Sequence, residues 1–114
     1  MLLIVEPTGQ RAARGLENGR AVYQRMLDFN DTLRAEGVLM TTSSLATAAT
    51  RLHKPPAAPA AQVIDGPFAE AKEMIGGFFL LSCATRAQAL AWAERCPAAE
   101  WATVEVRETG PCYT

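Results

Sequence analysis

The sequence predicts an α+β fold: a four-stranded antiparallel sheet in split βαβ order, with two helices on one face and an inserted hairpin. Three observations carry this. Residues 2–5 (Leu-Leu-Ile-Val) and 78–81 (Phe-Phe-Leu-Leu) are apolar without alternation, the mark of strands buried on both faces. Two longer stretches repeat apolar residues at helical spacing. The order along the chain is strand, helix, strand, insert, strand, helix, strand, and right-handed crossovers restrict the topology further. The two apolar strands fall where this order has its central strands.

The first strand stops at Glu6-Pro7, and Pro7, Gly9 and Gly15 mark a loop after it. The first long helix is expected over 18–36. Val22, Met26, Phe29 and Leu33 form one face, beside Tyr23 and Leu27, and Arg20, Gln24, Arg25, Asp28, Asp31 and Arg34 form the other. Asn18 is its expected N-cap, and Gly37 the C′ residue that ends it. Residues 38–45 read as the second strand, with a hydroxyl-rich end at Thr41-Thr42-Ser43-Ser44. Residues 46–64 hold two weak extended pieces, 50–53 and 61–64, around Pro55-Pro56-Ala57-Ala58-Pro59-Ala60. Proline supplies no ladder donor, so the pair reads as a hairpin insert joined by a loop or edge.

Asp65-Gly66-Pro67 is a turn: Gly66 takes unusual φ without a Cβ clash, Pro67 suits a first helical position, and Asp65 accepts from nearby N–H groups. A short helix over 67–74 is expected next, with Glu70 and Glu73 on one face and Gly76-Gly77 stopping it. Thr85-Arg86-Ala87-Gln88 has the form of a capping box. Ala89, Leu90, Ala93 and Cys96 line one face of the second long helix, which Pro97 stops. In the last strand, 101–107, Ala102, Val104 and Val106 face one way, and Trp101, Thr103, Glu105 and Arg107 the other. Residues 108–114 form a C-terminal tail.

The length of 114 residues suits one domain, 1–114, and 49% hydrophobic with 20% charged residues is ordinary globular composition. A net charge of −1 gives no footprint for nucleic acid, and Arg11, Arg14 and Arg20, diluted by Glu6 and Glu17, read as a solvated loop. No apolar run approaches the ~20 residues that span a bilayer, and the opening run lacks the basic region of a signal peptide. Cys83, Cys96 and Cys112 are odd in number and widely spaced, which argues against a disulfide framework and for a reducing cytoplasm. One histidine and no Cys-x-x-Cys predict no metal site, and no cofactor fingerprint is present. The sheet has one face that no helix of the chain covers. Apolar strands cannot leave it in water, so a second copy is expected there, as a homodimer.

The candidate polar residues cluster around the turn. Asp65 is the candidate general acid or base, with Glu70 or Lys72 to tune it; the plainer reading is that Asp65 holds the turn. Glu70, Lys72 and Glu73 are candidate ligand contacts or a solvated helix face. Glu105 and Arg107 either line a cleft between subunits or form an exposed pair of little energy. His53 reads as a surface loop residue, and Cys83 as a small buried hydrophobe.

Asp65-Gly66-Pro67-Phe68, then Glu70, Lys72-Glu73 and Gly76-Gly77-Phe78, resembles the signature of the YCII-related proteins, in particular their DGPF subfamily. The match runs on into Ala89-Leu90-Ala91-Trp92-Ala93, Cys96-Pro97 and Val104-Glu105-Val106-Arg107. The resemblance implies a dimeric α+β barrel of ferredoxin-like topology and, for most members, no established activity. Better-characterised relatives are thought to use a His–Asp pair near the first strand and helix; this chain has no histidine there. Two functions are therefore carried forward. One is a dimer that binds or transforms a small molecule in a cleft near the turn, as a cofactor-independent lyase or isomerase. The other is a non-catalytic regulatory module, since DGPF members are often encoded beside extracytoplasmic-function sigma factors.

Overall fold

In the computed structural model, residues 1–66, 68 and 70–113 are described. The elements are β1 (Leu2–Pro7), α1 (Gln10–Arg14), α2 (Leu16–Ala35), β2 (Leu39–Ser44), β3 (Thr50–His53), β4 (Gln62–Asp65), β5 (Glu73–Leu81), α3 (Arg86–Arg95), a 3₁₀ turn (Pro97–Glu100) and β6 (Thr103–Val106). Four strands form an antiparallel sheet in the order β2-β5-β1-β6, an α+β arrangement compatible with the ferredoxin-like fold. The two apolar strands, in β1 and β5, are central as expected. β3 and β4 pair only with each other, as a separate hairpin.

Strand alternation sorts the sheet's two faces. Leu2, Ile4 and Glu6 are buried on one side of β1, with Phe79 and Gly77 beside them on β5 and Val104 and Val106 on β6. The helices pack on this side. Phe29 and Leu33 of α2, Ala93 of α3, Cys96 and Ala98 complete the buried core. The Phe29 ring meets Phe79 edge to face, with centroids 5.3 Å apart and planes at 79°, and Trp92 stands 6.4 Å from Phe29. On the other side Leu3, Val5, Phe78 and Leu80 are half-buried and Ile75 is exposed. No helix is long and apolar enough to cross a membrane among the described residues.

The ends of the helices follow local chemistry. Gly37, at φ 71°, ends α2: its N–H donates to Arg34 O and that of Val38 donates to Leu33 O, the paired bonds of a Schellman cap. Thr85 caps α3, its Oγ1 accepting from Gln88 N at 3.2 Å, while Gln88 Oε1 reaches one residue further back than expected, to Ala84 N. Cys96, extended ahead of Pro97, ends the α-helix, and the chain makes a 3₁₀ turn before β6.

The structure corrects several expectations. The loop after β1 contains a helix, α1, and α2 starts at Leu16 rather than Asn18. Gly15, at φ 83° and ψ 165°, breaks the chain between them. Asn18 does not cap; its Nδ2 donates to Arg14 O. No helix spans 67–74. Pro67 and Ala69 lie outside the described residues, but Glu70 is in a turn and Glu73 already opens β5. The strand wins because β1 offers pairing partners out to Pro7: Pro7 faces Glu73, Glu6 faces Met74 and Val5 faces Ile75, with a register shift between Ile4 and Val5. Gly76 and Gly77 therefore stop no helix; they are buried inside β5. A Cβ on Gly77 would lie 2.9 Å from the Ser43 carbonyl, and one on Gly76 2.6 Å from Glu6 Oε2. Trp101 precedes β6 instead of lying in it, with the guanidiniums of Arg14 and Arg25 5.8 and 5.4 Å from the centre of its ring. Cys83 is half-buried, and Cys96 is the fully buried thiol.

Two outcomes follow. Gly77→Ala should destabilise the protein by about 1–3 kcal/mol in urea titration, because the backbone of β2 must move to admit a methyl group. Burial pushes the Cys96 thiol above its ordinary value of 9.0, with a backbone hydrogen bond from Ala98 pulling the other way. The unfolded chain loses this proton first as pH rises, so the contribution is whole below 9.0 and declines above it. The fall in stability between pH 8 and pH 10 should be shallower in Cys96→Ala than in the wild type.

Candidate functional site

A carboxylate on a central apolar strand is costly to bury unless it is paired. Glu6 is such a group: its side chain is 7% exposed, on the helix side of β1. Its partner is Arg11, whose Nε lies 2.6 Å from Glu6 Oε1. The ion pair is close, though the Nε–H is not aligned on Oε1 as a regular hydrogen bond. Arg11 Nη1 donates to Leu45 O at 2.6 Å, and Nη2 donates to Gly76 O at 3.2 Å. One guanidinium thus ties together β1, the end of β2 and β5, using the fork of donors that only arginine offers. The glycine at 76 leaves room for this pair, since Glu6 Oε2 and Arg11 Nη2 both lie under 3 Å from where its Cβ would be.

Beside this pair a cleft of about 1120 Å³ opens between α2 and the sheet. Its origin is the way α2 leaves the sheet. The C-terminal half packs through Phe29 and Leu33, whereas Leu16, Tyr23 and Leu27 stay exposed. Small groups line the strand side: Thr42, Ser43, Ser44, Gly76 and Gly77. Met26, Leu27 and Phe79 supply an apolar wall, and Asn30 reaches in from α2 with its Oδ1 buried and unbonded. Arg14 and Arg20 line the cleft with Arg11, so three arginines and one carboxylate border it. Arg14 also holds Gln10 Oε1 at 3.0 Å. Among the described residues, no group of three or more His, Cys, Asp or Glu side chains is arranged to hold a metal ion.

The residues singled out in the sequence lie elsewhere. Asp65 ends β4 on the exposed hairpin, where its Oδ1 accepts from Thr50 Oγ1 at 2.5 Å. The Asp65 bond therefore joins the two hairpin strands rather than capping a turn. Glu70 and Lys72 are exposed, and Lys72 O accepts from Thr8 N. Glu105 and Arg107 do come together, with Arg107 Nε 4.0 Å from Glu105 Oε2, both exposed. None of these five is among the residues lining the cleft. The turn meets the cleft only indirectly: Gly66 N donates to Ala49 O, and the chain just before Ala49, at Ala46 and Thr47, lines the cleft wall. Phe68 packs under the Arg51 guanidinium at 3.8 Å.

The pattern overlooked in the sequence is Glu6 with Arg11 and Gly76-Gly77. A charged residue closing an apolar central strand, followed by an arginine, was a legible signal that Arg11 is not solvated loop. Arg20 is exposed, as expected of the polar face of its helix, and also borders the cleft.

A family model described as the YCII-related domain matches residues 1–111. No curated protein matches the chain.

Arg11→Met should cost stability toward the lower end of about 3–5 kcal/mol, because Glu6 would be left buried and unpaired while Arg11 itself is 34% exposed and partly screened. Adding Glu6→Gln to that variant should restore part of the loss in the same denaturation experiment. Equal stability of the single and double variants would mean that an unpaired Glu6 carboxylate costs nothing at this position.

Proposed function

The chain belongs to the YCII-related family, and from that premise we propose a small cytoplasmic, homodimeric protein that binds a small organic anion in the cleft between α2 and the sheet. The observation that carries this is the charge of the cleft: Arg11, Arg14 and Arg20 against Glu6, around an apolar wall. The cleft has the size of a small-molecule site, a little above the usual ~300–1,000 Å³. The Arg20 side chain has no hydrogen bond or ion pair among the described residues, so it can meet a carboxylate or phosphate without giving up a partner. The Asp65-Gly66-Pro67-Phe68 run supports placing the chain in the DGPF subfamily.

The dimer reading rests on the opposite face of the sheet, where Leu3, Val5, Phe78 and Leu80 have no covering helix among the described residues and Ile75 is 49% exposed. Glu105 and Arg107 border that face, and a second subunit would enclose them. Asp65, Glu70 and Lys72 become ligand contacts, and Asp65 an acid or base, only where a partner closes over the hairpin.

A second reading, an interaction module, is favoured by the β3–β4 hairpin. All its strand residues are exposed, including Leu52, Val63 and Ile64 at 66%, 59% and 58%. The resemblance makes an extracytoplasmic-function sigma factor the partner to try in a pull-down.

A thermal-shift screen of small carboxylates and phosphates should raise the melting temperature for some members. Arg20→Ala should weaken the best of them about tenfold or more, the loss of one charge-assisted hydrogen bond. A flat screen, or an unchanged affinity in Arg20→Ala, would remove the anion site. In analytical ultracentrifugation at micromolar concentration the wild type should sediment as a dimer and Phe78→Asp as a monomer; a monomeric wild type would remove the dimer.

A further inference from the structure

The cleft has a feature that the anion reading does not use. Among the described residues one buried acceptor lines it without a donor, Asn30 Oδ1 on the helix side, while Glu6 Oε1 on the sheet side is engaged by Arg11 Nε at 2.6 Å without an aligned hydrogen bond. Arg11 balances the charge of Glu6, yet its remaining donors are directed to Leu45 O and Gly76 O. Buried acceptors are normally matched by donors, and leaving them bare is costly. Burial also orders the cleft in depth. Glu6, at 7% exposure, lies at the floor, whereas Arg20 is exposed at the margin. The floor therefore asks for N–H or O–H groups, and the margin asks for negative charge.

Resting on the reading of the cleft as an anion site, we infer that its ligand class is the hydroxy- or amino-carboxylates with an apolar body. The carboxylate meets Arg20 and Arg14 at the margin. The hydroxyl or ammonium group supplies the donor that Asn30 Oδ1 lacks and adds one to the Glu6 carboxylate beside its Arg11 partner. The carbon frame lies on Met26 and Phe79. A site built around an unpaired acceptor rejects an analogue that lacks the matching donor far more strongly than it rejects a missing methylene.

Three probes share one frame and one carboxylate and differ only at the second carbon: 3-phenylpropionate with hydrogen, 3-phenyllactate with hydroxyl, and phenylalanine with ammonium. In calorimetric titration of the wild type, phenyllactate or phenylalanine should bind at least tenfold more tightly than phenylpropionate, and which of the two wins names the donor. Asn30→Leu should reduce that preference while phenylpropionate binds as before; Asn30→Ala gives the same test should leucine crowd the cleft. The melting temperature of unliganded Asn30→Leu should not fall, because the bare acceptor has been removed. Equal affinities for all three probes, or a preference untouched in both Asn30 variants, would overturn the inference and leave the anion site standing. Binding of none of the three, while the screen of carboxylates and phosphates returns another anion, would overturn this inference alone; a flat screen would overturn both.

Discussion

The fold depends on one ion pair. Glu6 is buried at the end of a strand that is otherwise apolar, and Arg11 is what makes that position tenable. The consequences spread outward from it. Arg11 sits on α1, the short helix that follows β1 directly and is broken from α2 at Gly15. Its other donors hold Leu45 O and Gly76 O, so the edge strand β2 is locked to β5 at the open end of the sheet. The pair occupies the space of a Gly76 Cβ, so a side chain there would have to displace it, and β1 and β5 shift register nearby, between Ile4 and Val5.

That constraint divides the helix face into two ends with different work. At one end Leu2, Phe79, Phe29, Leu33 and Trp92 interlock as aromatic and branched side chains, and this packing fixes the angle of α2. At the other end the strand residues are glycine, serine and threonine, and the N-terminal half of α2 finds nothing large to pack against. Buried apolar area stabilises the first end; a guanidinium fork holds the second. The cleft exists because the second kind of fastening ties strands together without filling volume.

Much of this was legible in the sequence. The apolar runs at 2–5 and 78–81 identified the central strands because nothing polar interrupts them. Gly37 and Thr85 marked helix ends by chemistry that acts within a few residues. The errors share a cause. Glu70-Ala71-Lys72-Glu73 has helical propensity, and Gly76-Gly77 looks like a helix stop, when only neighbours in sequence are considered. Both are overruled by β1, which is nearly seventy positions away and pairs out to Glu73. Arg11 was misjudged in the same way, since loop composition says nothing about a buried carboxylate five residues earlier. The candidate site suffered most, because the cleft is assembled from residues of β1, α1, α2, β2 and β5. Of the turn motif, conspicuous as a string, Asp65 and Phe68 contact the hairpin residues Thr50 and Arg51.

The hairpin raises a physical question of its own. Two four-residue strands with every residue exposed, joined by a proline-rich loop, do not make a stable unit in water. Within the chain they are fastened by the Thr50–Asp65 bond, the Arg51–Phe68 stack and the Gly66–Ala49 bond, all at the root or on the surface. The radius of gyration, 16.5 Å, exceeds the roughly 13 Å of a compact chain of this length, and the long axis reaches 49 Å. An arm that projects this far, carrying Leu52, Val63 and Ile64 outward, gains little from its own subunit. The half-buried face formed by Leu3, Val5, Phe78 and Leu80 lacks a covering helix as well among the described residues. In a twofold pair each subunit brings one apolar arm and one apolar face, so a single symmetric association offers shelter to both. That economy favours a second copy over an unrelated partner, which would have to fit the arm and the face separately.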